Sequence, residues 1–311
     1  MTGDTGTGFV HTAPAYGLED FDVCLKFGII DKSGRGCYDP ADSKMRFTSE
    51  IPEFVSREAR SCNQDIIRNL QQRELIYKEV TTSHELPHCW RTDQPLYYRM
   101  VPTVNLNVQK IKGDIIRNFE TVNFPHGIGR ERMRESINSA PDWCLSRSRL
   151  WGTPIPIWQS ESGDVLVVGS SVELERLTGQ IITDLHMDSI PKTIDFGGKL
   201  YRHIDFTLDV WFESGAQFMA QNGYPLESDE ITIADFILEG MDQTRGWFYT
   251  LLVLGTALID KSPYKNVIIN GIVLDKHGVK FSKRLKNYKD INLIIDEFGI
   301  DAVRLYLMTS P

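Results

Sequence analysis

The sequence predicts an α/β protein whose second half builds a parallel sheet, behind a front section that mixes helices with short strands. Three observations carry that expectation. Strand-like and helix-like patterns alternate from residue 233 to residue 307. The run NVIIN at 266–270 is apolar on both faces, as a strand covered on both sides requires. The front of the chain instead strings short elements together after a glycine-rich turn.

Taken in order, GTGFVHTAP reads as that turn followed by a strand, and GLEDFDVCLKFG as a short helix with Leu18, Phe21 and Leu25 on one face, stopped by Gly28. Asn63 can cap a second helix carrying Ile66, Ile67 and Leu70. Extended segments are expected around Leu75 to Val80 and Leu96 to Met100. The i, i+4, i+8 spacing of Ile111, Ile115 and Phe119 predicts a helix over 108–119. An arginine-rich region from Gly129 to Arg149 runs into PDWCLSRSRLWGTPIPIW, where Pro154 and Pro156 turn the chain out of helix. The domain boundary is expected here, dividing the chain into 1–128 and 129–311. After a polar stretch from Gln159 to Pro191, strands are expected at 233–238 and 265–274. Helices are expected at 242–259 and at 292–307, the last broken at Gly299. The sequence has no internal repeat and no low-complexity tract.

The 311 residues suffice for two domains, and 41% hydrophobic residues excludes a disordered chain. A net charge of −8 argues against a general polyanion-binding surface, so a nucleic-acid partner must meet local basic patches. Five cysteines without short paired spacing read as reduced thiols, and no apolar run approaches a membrane span. A soluble, cytoplasmic protein without a membrane partner is expected. Neither end reads as a domain boundary. His88 and Cys89 invite a metal, but Thr92 stands where the second cysteine of a zinc ribbon would sit, and no protein-bound zinc is expected.

Two motifs carry the chemistry. EGMDQTRGW, from Glu239 to Trp247, sets two carboxylates, an amide and a glycine between a predicted strand and a predicted helix, the junction where open parallel sheets bind ligands. KFSKR, from Lys280 to Arg284, offers two ammonium groups on a loop, suited to a polyphosphate whose charge is being redistributed. A string of this length is also common in solvated basic loops; its place after a buried strand and behind EGMDQ favours the functional reading.

In that order these segments resemble the C-terminal half of the catalytic domain of the class I aminoacyl-tRNA synthetases, a Rossmann-like nucleotide-binding fold. DVWFESG at 209–215, EGMDQTRGWFYTLLVL and NVIINGIVLDKHGVKFSKR are most similar to the isoleucyl branch, nearest its eukaryotic cytosolic type. The valyl branch is similar at lower specificity, and the leucyl branch departs more. GTGFVHTAPAYGLEDF resembles the editing domain inserted in that branch, an α+β, β-rich module, and SRSRLWGTPIPIW the return into the catalytic core.

The resemblance implies that Lys280, Ser282 and Lys283 belong to the catalytic loop, the two lysines stabilising the phosphates of ATP as pyrophosphate leaves. Phe281 stands where the family pattern has methionine. Glu239 and Gly240 would meet the adenylate ribose, and Asp242 and Gln243 the adenylate and the amino-acid head group; Asp242 alternatively caps the following helix. Trp211 and Trp247 would wall the side-chain pocket, or serve as ordinary core residues. His11 and Asp20 correspond to editing residues, with Asp20 on the α-amino group of a wrongly attached amino acid; a histidine beside a turn is also commonly structural. Arg147 and Arg149 contact the tRNA acceptor end or form surface ion pairs, two readings that stay open.

The implied reaction is ATP-dependent activation of isoleucine and its transfer to tRNA(Ile), with Mg2+ carried by ATP and with hydrolytic editing of valyl-tRNA(Ile). Other classes remain: a valine ligase, a free-standing deacylase, or an inactive remnant. The HxGH signature of the first half of the family's nucleotide-binding fold is absent from the sequence, as is a helical anticodon-binding region. The chain is therefore expected to be a fragment, inactive alone and completed by the missing N-terminal half of the catalytic domain. A multi-synthetase complex is a further partner open to the intact protein.

Overall fold

The computed structural model of the chain describes residues 8–31, 33–89, 92–282 and 286–309. They divide into two units, Met1–Pro102 and Thr103–Pro311. Residues 103–128, expected in the front domain, thus pack with the second unit.

In the first unit, α1 (Leu18–Lys26) ends where Gly28, at φ 68, donates its amide to the Leu25 carbonyl. Its inward face is Phe21, Cys24 and Leu25 rather than the expected stripe; Leu18 is exposed. Helical side chains lean toward the N-terminus, so one on the first residue projects past the helix and covers little of it. α2 (Asn63–Gln72) follows directly on a 3-10 turn, Arg60–Cys62, which puts Asn63 inside the helix. No side chain caps α2 itself; in the 3-10 turn ahead of it the Glu58 carboxylate takes the Ser61 amide at 2.8 Å. The extended segments at 75–80 and 96–100 form no ladder. Among the described residues this unit has only isolated bridges, Ala41 with Phe47, Arg46 with Glu58 and His88 with Pro95, so the expected β-rich character is not met. Tyr77, Val80 and Tyr98 in these segments stay in solvent.

The second unit opens with β1 (Asn105–Leu106) and α3 (Val108–Glu120), whose Asn107 cap accepts from the Lys110 amide. Ile115 and Phe119 are fully buried, as the spacing predicts. α4 (Arg130–Ser139) leads to β2 (Trp143–Cys144), which pairs with β1, and β3 (Ser146–Arg147). The stretch 159–191, polar by sequence, contributes to a small antiparallel sheet of its own. β4 (Ile157–Ser160), β5 (Val165–Val167), β6 (Thr193–Phe196) and β7 (Lys199–His203) run in the order β5-β4-β7-β6. With α5 (Ser171–Thr178) they enclose Trp158, Val168, Leu174, Ile190, Ile194 and Tyr201. Ser170 caps α5 through the Glu173 amide while the Glu173 carboxylate takes the Gly169 amide, a reciprocal start signal readable in SSVE. β8 (Thr207–Leu208) then pairs with β3 and leads into α6 (Val210–Gly215) and α7 (Gln217–Ala220).

β9 (Ala234–Gly240), α8 (Trp247–Ile259) and β10 (Tyr264–Asn270) form the parallel βαβ unit, with Gly240 level with Asn270. Asn123 bridges to the far edge of β10 at Asn266. α8 is apolar all round and packs chiefly on α6 and α3, and Phe248, Leu252 and Val253 are wholly buried in a core shared with Ile237 of β9 and Val267 of β10. Val267 and Ile237 point into this core, whereas Phe236 and Leu238 on the alternate face of β9 are exposed. The predicted strand 265–274 stops at Asn270. α9 (Ile291–Phe298) and α10 (Ile300–Thr309) are separated at Gly299, φ 81, as expected.

Truncating Phe248 to alanine is expected to destabilise the second unit by about 3–5 kcal/mol, because its ring leaves a cavity in close-packed surroundings. Urea denaturation of the variant would read this as a lowered midpoint at an unchanged slope.

Candidate active site

The site lies at the C-terminal end of β9. The chain leaves Glu239 and Gly240, makes a 3-10 turn over Met241–Arg245, and breaks at Gly246 before α8 begins. The helix expected from residue 242 therefore starts five residues later. Its cap is Gln243, whose Oε1 accepts the Trp247 amide at 2.8 Å. Asp242 does not take that role: its carboxylate accepts from Gln243 Nε2 at 3.3 Å and lies 3.9 Å from the Lys280 ammonium. The Gly246 position has no room for a methyl group. A Cβ there would stand 2.6 Å from Gln243 Oε1 and 3.6 Å from the Trp211 ring. Gly246→Ala is expected to displace the Gln243 cap and cost about 1–2 kcal/mol of stability, measurable by thermal or urea unfolding.

Trp143, Trp211, Asp242, Gln243, Arg245, Gly246, Tyr249 and Thr250 line a cavity of about 330 Å³. The structure thus brings Asp242, Gln243 and Trp211 together, as the motifs suggested. Trp247 is not among the lining residues; its indole packs on the α8 core and donates to the Ser214 carbonyl at 3.0 Å. Trp143, Arg245, Tyr249 and Thr250 are cavity residues to which the motif reading gave no role. Tyr249 and Thr250 lie just past the start of α8 and could have been found by extending the helix face, whereas nothing local marks Trp143. Burial raises the Tyr249 phenol to about 12, with the Asp142 charge adding to the effect, so it stays a neutral group over the working pH range.

The loop at 275–288 is tied by one amide. Asn287 donates through Nδ2 to Asp275 Oδ2 at 2.8 Å and to the Lys280 carbonyl, and its Oδ1 accepts the Ser282 amide at 2.9 Å. Asp275 also takes the His277 and Val279 amides, and these bonds, Asn287 first, hold its carboxyl below the usual range. Phe281 packs on Tyr288 with ring centroids 5.7 Å apart. Lys283, with Arg284, lies outside the described residues.

Asp209 is buried between β8 and α6. Its Oδ2 accepts from Arg147 Nη2 at 2.7 Å and Trp143 Nε1 at 2.9 Å, and its Oδ1 from the Trp211 amide at 3.2 Å. Arg147 donates further to the Cys144 and Ser146 carbonyls, so its guanidinium is engaged within the chain; Arg149 is exposed. In the first unit, Asp20 Oδ2 accepts the Ala13 amide at 3.1 Å across the turn into α1, and His11 is exposed just ahead of that turn. A larger cavity in that unit, about 470 Å³ and lined by Tyr16, Met45, Phe47, Arg60 and Tyr97 among others, includes neither His11 nor Asp20. Among the described residues no group of three or more His, Cys, Asp or Glu is arranged to hold a metal, and no helix is long and apolar enough to cross a membrane.

The profile of the class I tRNA synthetases for isoleucine, leucine, methionine and valine matches residues 56–311. The chain belongs to this family. The isoleucine–tRNA ligase of Bdellovibrio bacteriovorus is 43% identical over the whole chain and 30% of its own length. The cytoplasmic isoleucine–tRNA ligase of Caenorhabditis elegans is 44% identical over the whole chain and 28% of its own length. This synthetase chain thus spans about 30% of the length of the curated relatives it matches. A solved leucyl-tRNA synthetase complex from Agrobacterium radiobacter K84 is 23% identical over 55% of this chain and 25% of that one, with a TM-score of 0.40. So loose a superposition places no residue.

Proposed function

We propose that this segment supplies part of the aminoacylation site of an isoleucine–tRNA ligase. The observation that carries the reading is the cavity between Trp143 and Trp211, closed by Asp242 and Gln243 at the end of β9, in a chain similar over its whole length to isoleucine–tRNA ligases. Broad aromatic walls suit a branched aliphatic side chain, since they supply contact area without a polar group to leave unpaired.

In this reading the isoleucine carboxylate is the nucleophile. It attacks the α-phosphorus of ATP, the bond to the β-phosphate oxygen breaks, and pyrophosphate leaves with Mg2+; no protein base is required. Glu239 and Gly240 hold the ribose, and Asp242 faces the amino-acid ammonium. Gln243 has its oxygen committed to the α8 cap, and its Nε2, which donates one N–H to Asp242 Oδ2, offers the second to a ligand. Lys280 and Lys283 neutralise charge on the departing phosphates, catalysis by electrostatics. The acyl group then passes to a terminal hydroxyl of tRNA(Ile). The βαβ unit is half of a Rossmann-like sheet, and the Met1–Pro102 unit is part of an editing domain in which His11 and Asp20 act on valyl-tRNA(Ile). The name of the Caenorhabditis elegans relative supports a cytoplasmic location.

The test is amino-acid-dependent pyrophosphate exchange by the full-length synthetase carrying this segment. Isoleucine is expected to drive exchange best; stronger exchange with valine or leucine would overturn the assignment.

A further inference from the structure

Two walls of the cavity come from distant parts of the chain, and one buried group holds both. Trp143 is in β2 and Trp211 in α6, on an element that begins 67 residues after it. Asp209 accepts the indole N–H of the first and the backbone amide of the second, and is itself fixed by its own amide, which donates to the Leu145 carbonyl at 2.7 Å. Its side chain is only 6% exposed and faces the Arg147 guanidinium. A buried carboxylate is tolerated only when its charge is paired and its oxygens are occupied, and here three donors satisfy it. Removing an acceptor frees the Trp143 ring to rotate and loosens the first turn of α6, which carries Trp211.

We propose that Asp209 is a positioning residue that sets the spacing of Trp143 and Trp211, and so makes the cavity discriminate between aliphatic side chains differing by one methylene. The proposal rests on the aminoacylation reading above. It adds a residue that touches no substrate but governs selectivity through two that do. Arg147 is the counter-ion that makes the buried carboxylate tenable.

The experiment uses the full-length synthetase and compares Asp209→Asn, Trp143→Phe and Arg147→Lys in pyrophosphate exchange. In Asp209→Asn one NH2 must face an N–H donor in either orientation of the amide. The KM for isoleucine is expected to rise about tenfold or more with kcat changed less than about threefold, the signature of lost uniform binding. The ratio of kcat/KM for isoleucine over valine is expected to fall by about tenfold, a change of the size that one methylene contributes. Trp143→Phe, which deletes only the indole donor and keeps a ring, should shift the ratio in the same direction by less, and the double variant should be less than additive. Arg147→Lys, which keeps the charge but not the planar fork that meets three acceptors, should lower the ratio by less than Asp209→Asn. Equal losses for isoleucine and valine in Asp209→Asn would make Asp209 merely structural and overturn the proposal. Should Asp209→Asn fail to fold, an unchanged ratio in Trp143→Phe overturns it equally. If the wild-type enzyme prefers another amino acid, the functional reading fails, and the same ratio taken between that amino acid and its one-methylene-shorter analogue still tests Asp209.

Discussion

Lys280→Ala in the full-length synthetase is expected to slow isoleucine-dependent pyrophosphate exchange by about 10²- to 10³-fold, the usual loss when one preorganised charge-stabilising group is removed. Preorganisation has a visible source here. Asn287 ties the Lys280 carbonyl, the Ser282 amide and the Asp275 carboxylate into one loop geometry before any phosphate arrives. The Lys280 ammonium reaches to 3.9 Å from Asp242, which places it beside the end of β9. Both partners of that contact are more than half exposed, so it contributes little to stability and is easily exchanged for a phosphate oxygen. The loss should fall on kcat, with the KM for isoleucine nearly unchanged, because the charge it meets develops in the transition state. Lys283→Ala is expected to act in the same direction; that residue lies outside the described residues, and the expectation rests on the KFSKR motif. Near-wild-type exchange by both variants would remove the loop from the mechanism.

Asp20→Ala is expected to leave pyrophosphate exchange intact and to let valyl-tRNA(Ile) accumulate. Discrimination would then rest on the cavity alone, about 10- to 200-fold for one methylene, a general limit for which isoleucine against valine in these synthetases is the standard illustration rather than a measurement on this chain. Alanine also forfeits the bond to the Ala13 amide, worth about 1 kcal/mol. Asp20→Asn separates the two effects, because it keeps an acceptor for that amide while losing the charge proposed to hold the α-amino group. Valyl-tRNA should therefore build up in both variants. If isoleucine charging collapsed in Asp20→Ala while Asp20→Asn behaved as wild type, Asp20 would be a turn residue and nothing more.

Elements set by nearest neighbours were legible before any coordinates. The helix at Val108–Glu120 follows from the spacing of Ile111, Ile115 and Phe119, the break between α9 and α10 from Gly299, and the βαβ order of the second half from alternating apolar runs. The motifs also identified Asp242, Gln243 and Trp211 as neighbours, since the first two adjoin in sequence and the family resemblance supplied the third. These features depend on periods of two or 3.6 residues and on single backbone-breaking positions, which a short window of sequence contains in full.

What tertiary structure decided is non-local. The polar stretch from Gln159 to Pro191 hides its role because β4 draws its partners from residues 165–167 and 199–203, and the apolar residues that close the small core are scattered between them. Register between distant strands leaves no short-range trace. The helix after β9 starts late because Gln243, rather than Asp242, reaches the Trp247 amide, a choice made by the path of the chain through Gly246. Trp143 lines the cavity and donates its indole N–H to Asp209, whereas the Trp247 indole donates to the Ser214 carbonyl, partners 66 and 33 residues away in sequence. Sequence alone determined the family, the βαβ frame and the charged motifs at its edge, because those are written in adjacent residues. Which aromatic rings form the walls and which buried charge holds them was settled only by packing, since a buried polar group must find its partner wherever in the chain the fold brings one within reach.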